Sequence, residues 1–286
     1  MIVPLSFISS DAMSGVHRLL LGSCEKIRVS SYAVRPEPVF KNAVVDTTIV
    51  MFVKTGTKCE HIYSTRLNRK KGTDFSLQNL IDHLQFTDVK NLLMYGRIPK
   101  IGTAIEQSIL TKIRKCNMIS TFKRAEGKSI YYRAAGGRYF KVITNYSTNS
   151  SAEKCLTLDR DYSDVIGCIL SSNLSFWFYQ IYSDNHNWKS GEIESFTIPN
   201  MDNETRVRLI KLYDIYLKDI ERNANVRISS GNSTYHVDEF KEYKIVKSKK
   251  IIDEIDDIIG PLYDLTKEEI EFVKKYEIEF RMAGDN

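Results

Sequence analysis

The sequence predicts a mixed α+β fold: the later strands of an α/β sheet, then a mixed α/β domain, then an acidic helical tail. Three observations carry this. Residues 2–7, 26–34 and 47–53 are strand-like apolar runs, the first two separated by a helical stretch. Residues 129–143 read as two strands around Gly136-Gly137. Residues 249–262 and 267–276 have helical period, and the second is opened by Thr266 with Glu269 three residues on.

In chain order, residues 2–7 read as a buried strand, so the chain is expected to begin partway through its sheet. Ser9-Ser10-Asp11 offers an N-cap for a helix with Met13, Val16 and Leu20 at helical spacing, closed near Gly22. Residues 26–34 alternate as a strand until Arg35-Pro36-Glu37-Pro38 interrupts them. Residues 47–53 are nearly all β-branched or apolar, the pattern of a buried strand. Polar, Gly-containing connectors at 54–58 and 68–74 place a boundary near residue 55. A short helix is expected at 77–84, and a stronger one at 105–113 with Ile105, Ile109, Leu110 and Ile113 on one face. Residues 164–182 read as one long aromatic helix, and 201–223 as an amphipathic one with a polar loop at 229–235 after it. The resulting domains are 1–55, 56–240 and an acidic helical tail, 241–286.

The chain has 286 residues, 42% of them hydrophobic, enough for a sizeable core and two modest domains. No apolar run approaches the ~18 residues that span a bilayer, and no basic segment precedes the first apolar stretch as in a signal peptide. Five dispersed cysteines (Cys24, Cys59, Cys116, Cys155, Cys168) read as reduced core thiols of a cytoplasmic protein. The net charge of +5 is unevenly spread. Residues 253–286 carry eleven Asp/Glu and four Lys/Arg, a net of −7, whereas 97–141 carry eleven Lys/Arg and two Glu, a net of +9. Such asymmetry is what a polyanion-binding face needs, and equally what a solvated basic surface shows.

No self-contained catalytic constellation is present. The five histidines (His17, His61, His83, His186, His236) lack ligand spacing, and no GxSxG, HExxH or Walker loop occurs. Asp159, Asp161 and Asp164 lack the Gly and Glu of a calcium loop and read as a charged helix start. Two stretches carry more. Residues 129–141 interleave Tyr131, Tyr132, Tyr139 and Phe140 with Arg133, Arg138 and Lys141 across the Gly-Gly turn. Alternation puts cations on one strand face, and nucleic-acid readers need cations for phosphates and flat rings for sugars and bases; an ordinary hairpin with core tyrosines has the same composition. After the aromatic helix, the polar residues 183–189 are placed to present Asn185, His186, Asn187 and Lys189 to a partner.

Taken in order, these segments resemble one family. IVPLSF (2–7), a capped helix, then VF (39–40) and VVDTTIVMFVK (44–54) are similar to the later half of the catalytic domain of gamma-class adenine-N6 DNA methyltransferases. IPKIGTAIEQSIL (98–110), IYYRAAGGRYFK (130–141) and the segment from ILSSNLSFWFYQIYSDNHN (169–187) to IESFTIP (193–199) resemble the TaqI-type target-recognition domain that follows it. Residues 248–282 resemble the C-terminal tail of fused type IIG-like restriction-modification methylases.

The resemblance implies a partial Rossmann-like methyltransferase sheet, double-stranded DNA as partner, and no membrane. It implies that the target adenine is flipped from the duplex and methylated from S-adenosylmethionine in the complete enzyme, because the amino group is not accessible within the stack. It puts Phe40 at the position that stacks on the flipped base, and Tyr131, Tyr132, Arg133, Arg138, Tyr139, Lys141, Asn185, His186 and Lys189 in the DNA-binding set. The family's glycine-containing cofactor loop and Asn-Pro-Pro-Tyr catalytic loop have no counterpart here: none of the six prolines adjoins another. The chain alone is therefore expected to bind no S-adenosylmethionine and to methylate nothing. Two alternatives stand beside this reading: a DNA-specificity subunit that completes a separate N-terminal methyltransferase chain, and an inactive truncated remnant.

Overall fold

The computed structural model describes residues 1–70, 76–135, 141–228 and 239–282. These form a mixed α+β structure in two compact units, residues 1–112 with 178–185, and residues 113–177 with 186–286. The first division falls at Lys112/Ile113. The composition shift near residue 55 lies inside the first unit, because the strand that follows it, at 61–68, pairs with residues 26–32 before it.

The first unit is built on a five-stranded sheet. Its elements are β1 (Ile2–Pro4), α1 (Ser6–Ser9), α2 (Ser14–Ser23), β2 (Lys26–Tyr32), β3 (Thr47–Phe52), β4 (His61–Asn68), α3 (Leu77–Asp82), β5 (Thr87–Asp88) and α4 (Ala104–Ile113). The spatial order is β1-β3-β2-β4-β5. β3 is inserted antiparallel between β1 and β2, whose own directions therefore agree; β4 runs parallel to β2 and β5 antiparallel to β4.

Several local expectations shift. The apolar run at 2–7 is strand only as far as Pro4; Ser6 opens a helical turn. Asp11–Met13 is a 3₁₀ turn with no side-chain cap, so α2 starts later and turns His17 and Leu20 inward while Val16 and Leu19 face solvent. β3 alternates as far as Val50, with Thr48 and Val50 buried, but Met51 and Phe52 are both exposed, so its end is open on both faces. The strand at 61–68 has no clean alternation and pairs through β2, a partner 35 residues upstream in register (Lys26↔His61).

The second unit comprises β6 (Asn117–Met118), β7 (Lys123–Arg133), β8 (Ile143–Thr144), β9 (Glu153–Leu158), α5 (Ser163–Leu170), the first half of α6 (Asn173–Tyr182), α7 (Ser190–Glu194), β10 (Thr197–Ile198), α8 (Asn203–Arg222), β11 (Asn225–Ile228), β12 (Glu239–Glu242), α9 (Lys249–Leu262), α10 (Lys267–Lys275) and α11 (Ile278–Met282). Its main sheet has the order β8-β7-β9, all antiparallel. β7 returns through β8 as the Gly-Gly hairpin signal requires, with Tyr132↔Ile143; the turn itself, 136–140, and the polar loop 229–235 lie outside the described residues, as do residues 71–74 of the second connector.

The aromatic segment 164–182 is two helices. Ser171 Oγ donates to Gly167 O (2.9 Å), drawing the chain out of α5, and Ser172 Oγ accepts from Ser175 N (3.1 Å) as the N-cap of α6. The break exposes the first N–H groups of α6 to Asp256 of α9. Its carboxylate accepts from Asn173 N (3.0 Å), Leu174 N (3.0 Å) and Asn173 Nδ2 (2.6 Å). Arg281 of α11 donates to Asn173 Oδ1 (2.8 Å) and lies 4.5 Å from the Phe176 ring centroid. The tail is thus packed into the second unit through buried polar groups, and its Thr266–Glu269 capping box is formed. No helix among the described residues is long and apolar enough to cross a membrane.

Two predictions follow from this packing. A Cβ on Gly167 would meet Tyr213 Oη at 2.6 Å and Cζ at 2.7 Å, and Tyr213 is itself buried. Gly167→Ala should therefore cost about 1–3 kcal/mol, read as a lower urea midpoint at unchanged slope. Burial pushes the Asp256 carboxyl up to about 6, against the hydrogen bonds from Asn173 and Leu174. The folded state then holds a proton that the unfolded chain has released, so stability should fall as pH rises from about 4 to 6 and level off above, by about 3 kcal/mol in all. Asp256→Asn should remove that component of the pH slope; an unchanged slope would show that the carboxyl ionises normally.

Candidate nucleic-acid interface

In the second unit, alternation along β7 sorts the hairpin residues between two faces. Ile130 and Tyr132 point to the core with Ile143, Leu156 and Leu158; Ser129, Tyr131 and Arg133 share the other face with Thr157 and Cys155. Tyr131 is half-buried and Arg133 and Cys155 are exposed there. Tyr132 is a core tyrosine: burial pushes its phenol up to about 12, and its ring meets Trp188 edge-on at 5.8 Å. Its expected place in the DNA-binding set is therefore corrected. Lys141 is also buried, with Nζ 5.9 Å from the centroid of the Trp188 ring.

Trp188 joins two segments that lie 50 residues apart. Its backbone N–H donates to Ala134 O (2.7 Å), Ala135 and Asn187 form an antiparallel bridge, and its indole is buried against Tyr132 and Lys141. Lys189 N donates to Glu192 Oε2 (3.0 Å) at the start of α7. The end of β7 and residues 186–189 are therefore adjacent segments, and between them carry Tyr131, Arg133, His186, Asn187 and Lys189. Arg133 Nε donates to Ala135 O (3.0 Å), which holds the guanidinium along that edge. Arg138 and Tyr139 lie outside the described residues.

Two candidates belong to the first unit. Asp46 closes the loop that carries Phe40: its Oδ1 accepts from Val34 N (2.8 Å), its Oδ2 from Asn185 Nδ2 (3.1 Å), and its carbonyl from Leu5 N (2.8 Å). Asn185 is thus bound within that unit as a brace for the loop. Phe40 is half-buried, edge-on to Tyr32 at 5.3 Å and 80°.

The net charge of +9 in residues 97–141 does not translate into an equally basic face. Arg97, Lys100 and Lys141 are buried. Lys123, Arg124 and Lys128 pair with Glu194, Asp159 and Asp164, acids from outside the segment. Of the cations on the described hairpin and loop, Arg133 is exposed and Lys189 half-exposed. Asp164 stands in the first turn of α5, where it also accepts from Asn145 Nδ2 (3.0 Å). Cys155 is exposed, unlike the buried Cys24, Cys59 and Cys168.

Trp188 was not among the candidate residues. A lone tryptophan within a polar run was its one signal, and its role needs Ala134 and Tyr132, which no local pattern supplies. Trp188→Ala should cost about 3–5 kcal/mol and release the loop, seen as new proteolytic cleavage within residues 183–190 under native conditions. No protein-family model matches the chain, and no curated protein matches its sequence.

Proposed function

We propose that this chain is the DNA-recognition portion of a site-specific adenine-N6 DNA methyltransferase of a restriction-modification system. The observation that carries the reading is the joint built around Trp188. Two segments chosen for aromatic, cationic and amide side chains become adjacent, and together offer Arg133 and Lys189 to phosphates and Tyr131, His186 and Asn187 to base edges or sugars. The ordered motif resemblance along the chain supplies the enzyme class. Phe40, edge-on to Tyr32 in a loop closed by Asp46, is the residue assigned to stack on the flipped adenine.

The segments that carry the resemblance do not include the family's glycine-containing cofactor loop. Binding of S-adenosylmethionine and activation of the amino group are assigned to another polypeptide segment bearing the Asn-Pro-Pro-Tyr loop. A specific feature shows where such a segment would join. Leu5 N donates to Asp46 O and Val50 N to Met1 O, so alternation turns the N–H and C=O of Ile2 and the C=O of Pro4 away from β3. This outer edge is unpaired among the described residues, and Ile2 is 61% exposed, so a further strand has backbone groups to join.

The chain should bind duplex DNA with a dissociation constant of about 1–100 μM near physiological salt. Arg133→Ala should weaken binding on every sequence and reduce the log–log salt slope by about 1, measured by fluorescence anisotropy. In the enzyme reconstituted with a catalytic chain, Phe40→Ala should lower methylation at least tenfold with little change in DNA affinity, as loss of base stacking worth ~1–3 kcal/mol requires. Absence of salt-dependent DNA binding by the wild-type chain would overturn the reading.

A further inference from the structure

Residues 94–97 of the first unit form a two-residue hairpin. Met94 and Arg97 exchange both backbone hydrogen bonds, Met94 N to Arg97 O (3.1 Å) and Arg97 N to Met94 O (2.9 Å). Both residues between them have positive φ, Tyr95 at 52° and Gly96 at 86°. A tight hairpin of this kind takes Asn, Asp or Gly at its first position, because a side chain with a bulky Cβ substituent is strained there. Tyr95 breaks that rule.

The hairpin is held from beneath by buried groups. Gly96 lies so close to His17 that a Cβ would meet Nδ1 at 3.0 Å, and His17 Nε2 is itself 2.5 Å from Phe7 O. The Arg97 side chain is buried, with Nε 3.2 Å from Asp11 Oδ1. Ile98 N donates to Ile8 O (2.9 Å), and Lys100 Nζ to the carbonyls of Ile181 (3.1 Å) and Ser183 (2.6 Å). From Leu92 to Ile101 every residue is buried or half-buried except Tyr95, which is 64% exposed. The Arg97 guanidinium lies over the Tyr95 ring, 5.8 Å from its centroid, within cation–π range.

We infer that Tyr95 is a stacking platform for an unpaired DNA base. The turn chemistry does not select tyrosine, and at 64% exposure burial in the core does not select it either. What the position does supply is a largely exposed flat ring at the tip of a hairpin held from beneath, with a guanidinium 5.8 Å from its centroid. Base–aromatic stacking needs those features and tolerates any base, since every base has a π-face. Strain kept at an over-determined position is also the pattern expected where side-chain identity serves a ligand. The inference rests on the DNA-binding reading above, and extends it to single-stranded or extrahelical bases.

The test uses the full chain, a single-stranded oligonucleotide carrying 2-aminopurine, and a duplex control. Tyr95→Asn, the residue the turn prefers, should raise the melting temperature by about 2–4 °C while weakening single-strand binding about tenfold and abolishing 2-aminopurine quenching. Tyr95→Phe should keep binding within about twofold and keep the quenching. Duplex binding should remain dependent on Arg133 in both variants. A Tyr95→Asn variant that binds and quenches like the wild type makes Tyr95 a turn residue only. One that is less stable shows that the tyrosine serves the fold. Duplex binding without single-strand binding overturns this inference and leaves the DNA reading standing, whereas failure to bind either overturns both.

Discussion

The second unit depends on one buried carboxylate. Where Ser171 and Ser172 end α5 and begin α6, the first backbone donors of α6 have no helical partner. Asp256 supplies the acceptors, and in doing so fixes α9 against the helix pair; Arg281 then reaches the same Asn173 from α11. Burial works against both ions, lifting the Asp256 carboxyl and lowering the Arg281 guanidinium to about 10. The arrangement holds because each group is hydrogen-bonded, since an unpaired charge at that depth would cost several kcal/mol. The acidic tail is therefore a structural component whose charge is partly turned inward.

The proposed interface is made by the same kind of long-range joint. Trp188 contributes a backbone donor to Ala134 and a buried ring to Tyr132 and Lys141, and so brings two polar, aromatic stretches together. Gly127 permits the neighbouring irregularity in β7, since a Cβ there would lie 2.0 Å from Leu158 O; the register accordingly shifts between Lys123 and Lys128. Rigid support beneath a small set of exposed side chains is what a recognition surface requires, because ordering those side chains on binding then costs less.

Local physics made much of the fold legible. Periodicity and capping gave α4, α8, α9 and α10 nearly to their ends, and Asp202 and Thr266 cap α8 and α10 through their side chains. β-branched and alternating runs gave β2 and β3. What failed locally did so for identifiable reasons. Ser171 and Ser172 look like tolerable helix residues until their hydroxyls bond the adjacent backbone. β4 and β9 carry mixed polar patterns that only pairing with β2 and β7 makes into strands.

The sequence by itself determined α4, α8, α9, α10, β2 and β3, the aromatic and cationic character of residues 129–141, and the segregation of acidic charge into the tail, because these follow from neighbours within a few positions. Tertiary structure alone decided the order β1-β3-β2-β4-β5, the meeting of Ala135 with Asn187, and the fate of the basic segment. Burial, pairing and charge neutralisation are set by groups tens of residues away. Arg97 and Lys100 are drawn into the interior, Lys123, Arg124 and Lys128 are matched by distant acids, and Tyr132 is turned from a candidate contact into core. A count of charges along the chain cannot distinguish these outcomes, because it contains no distances.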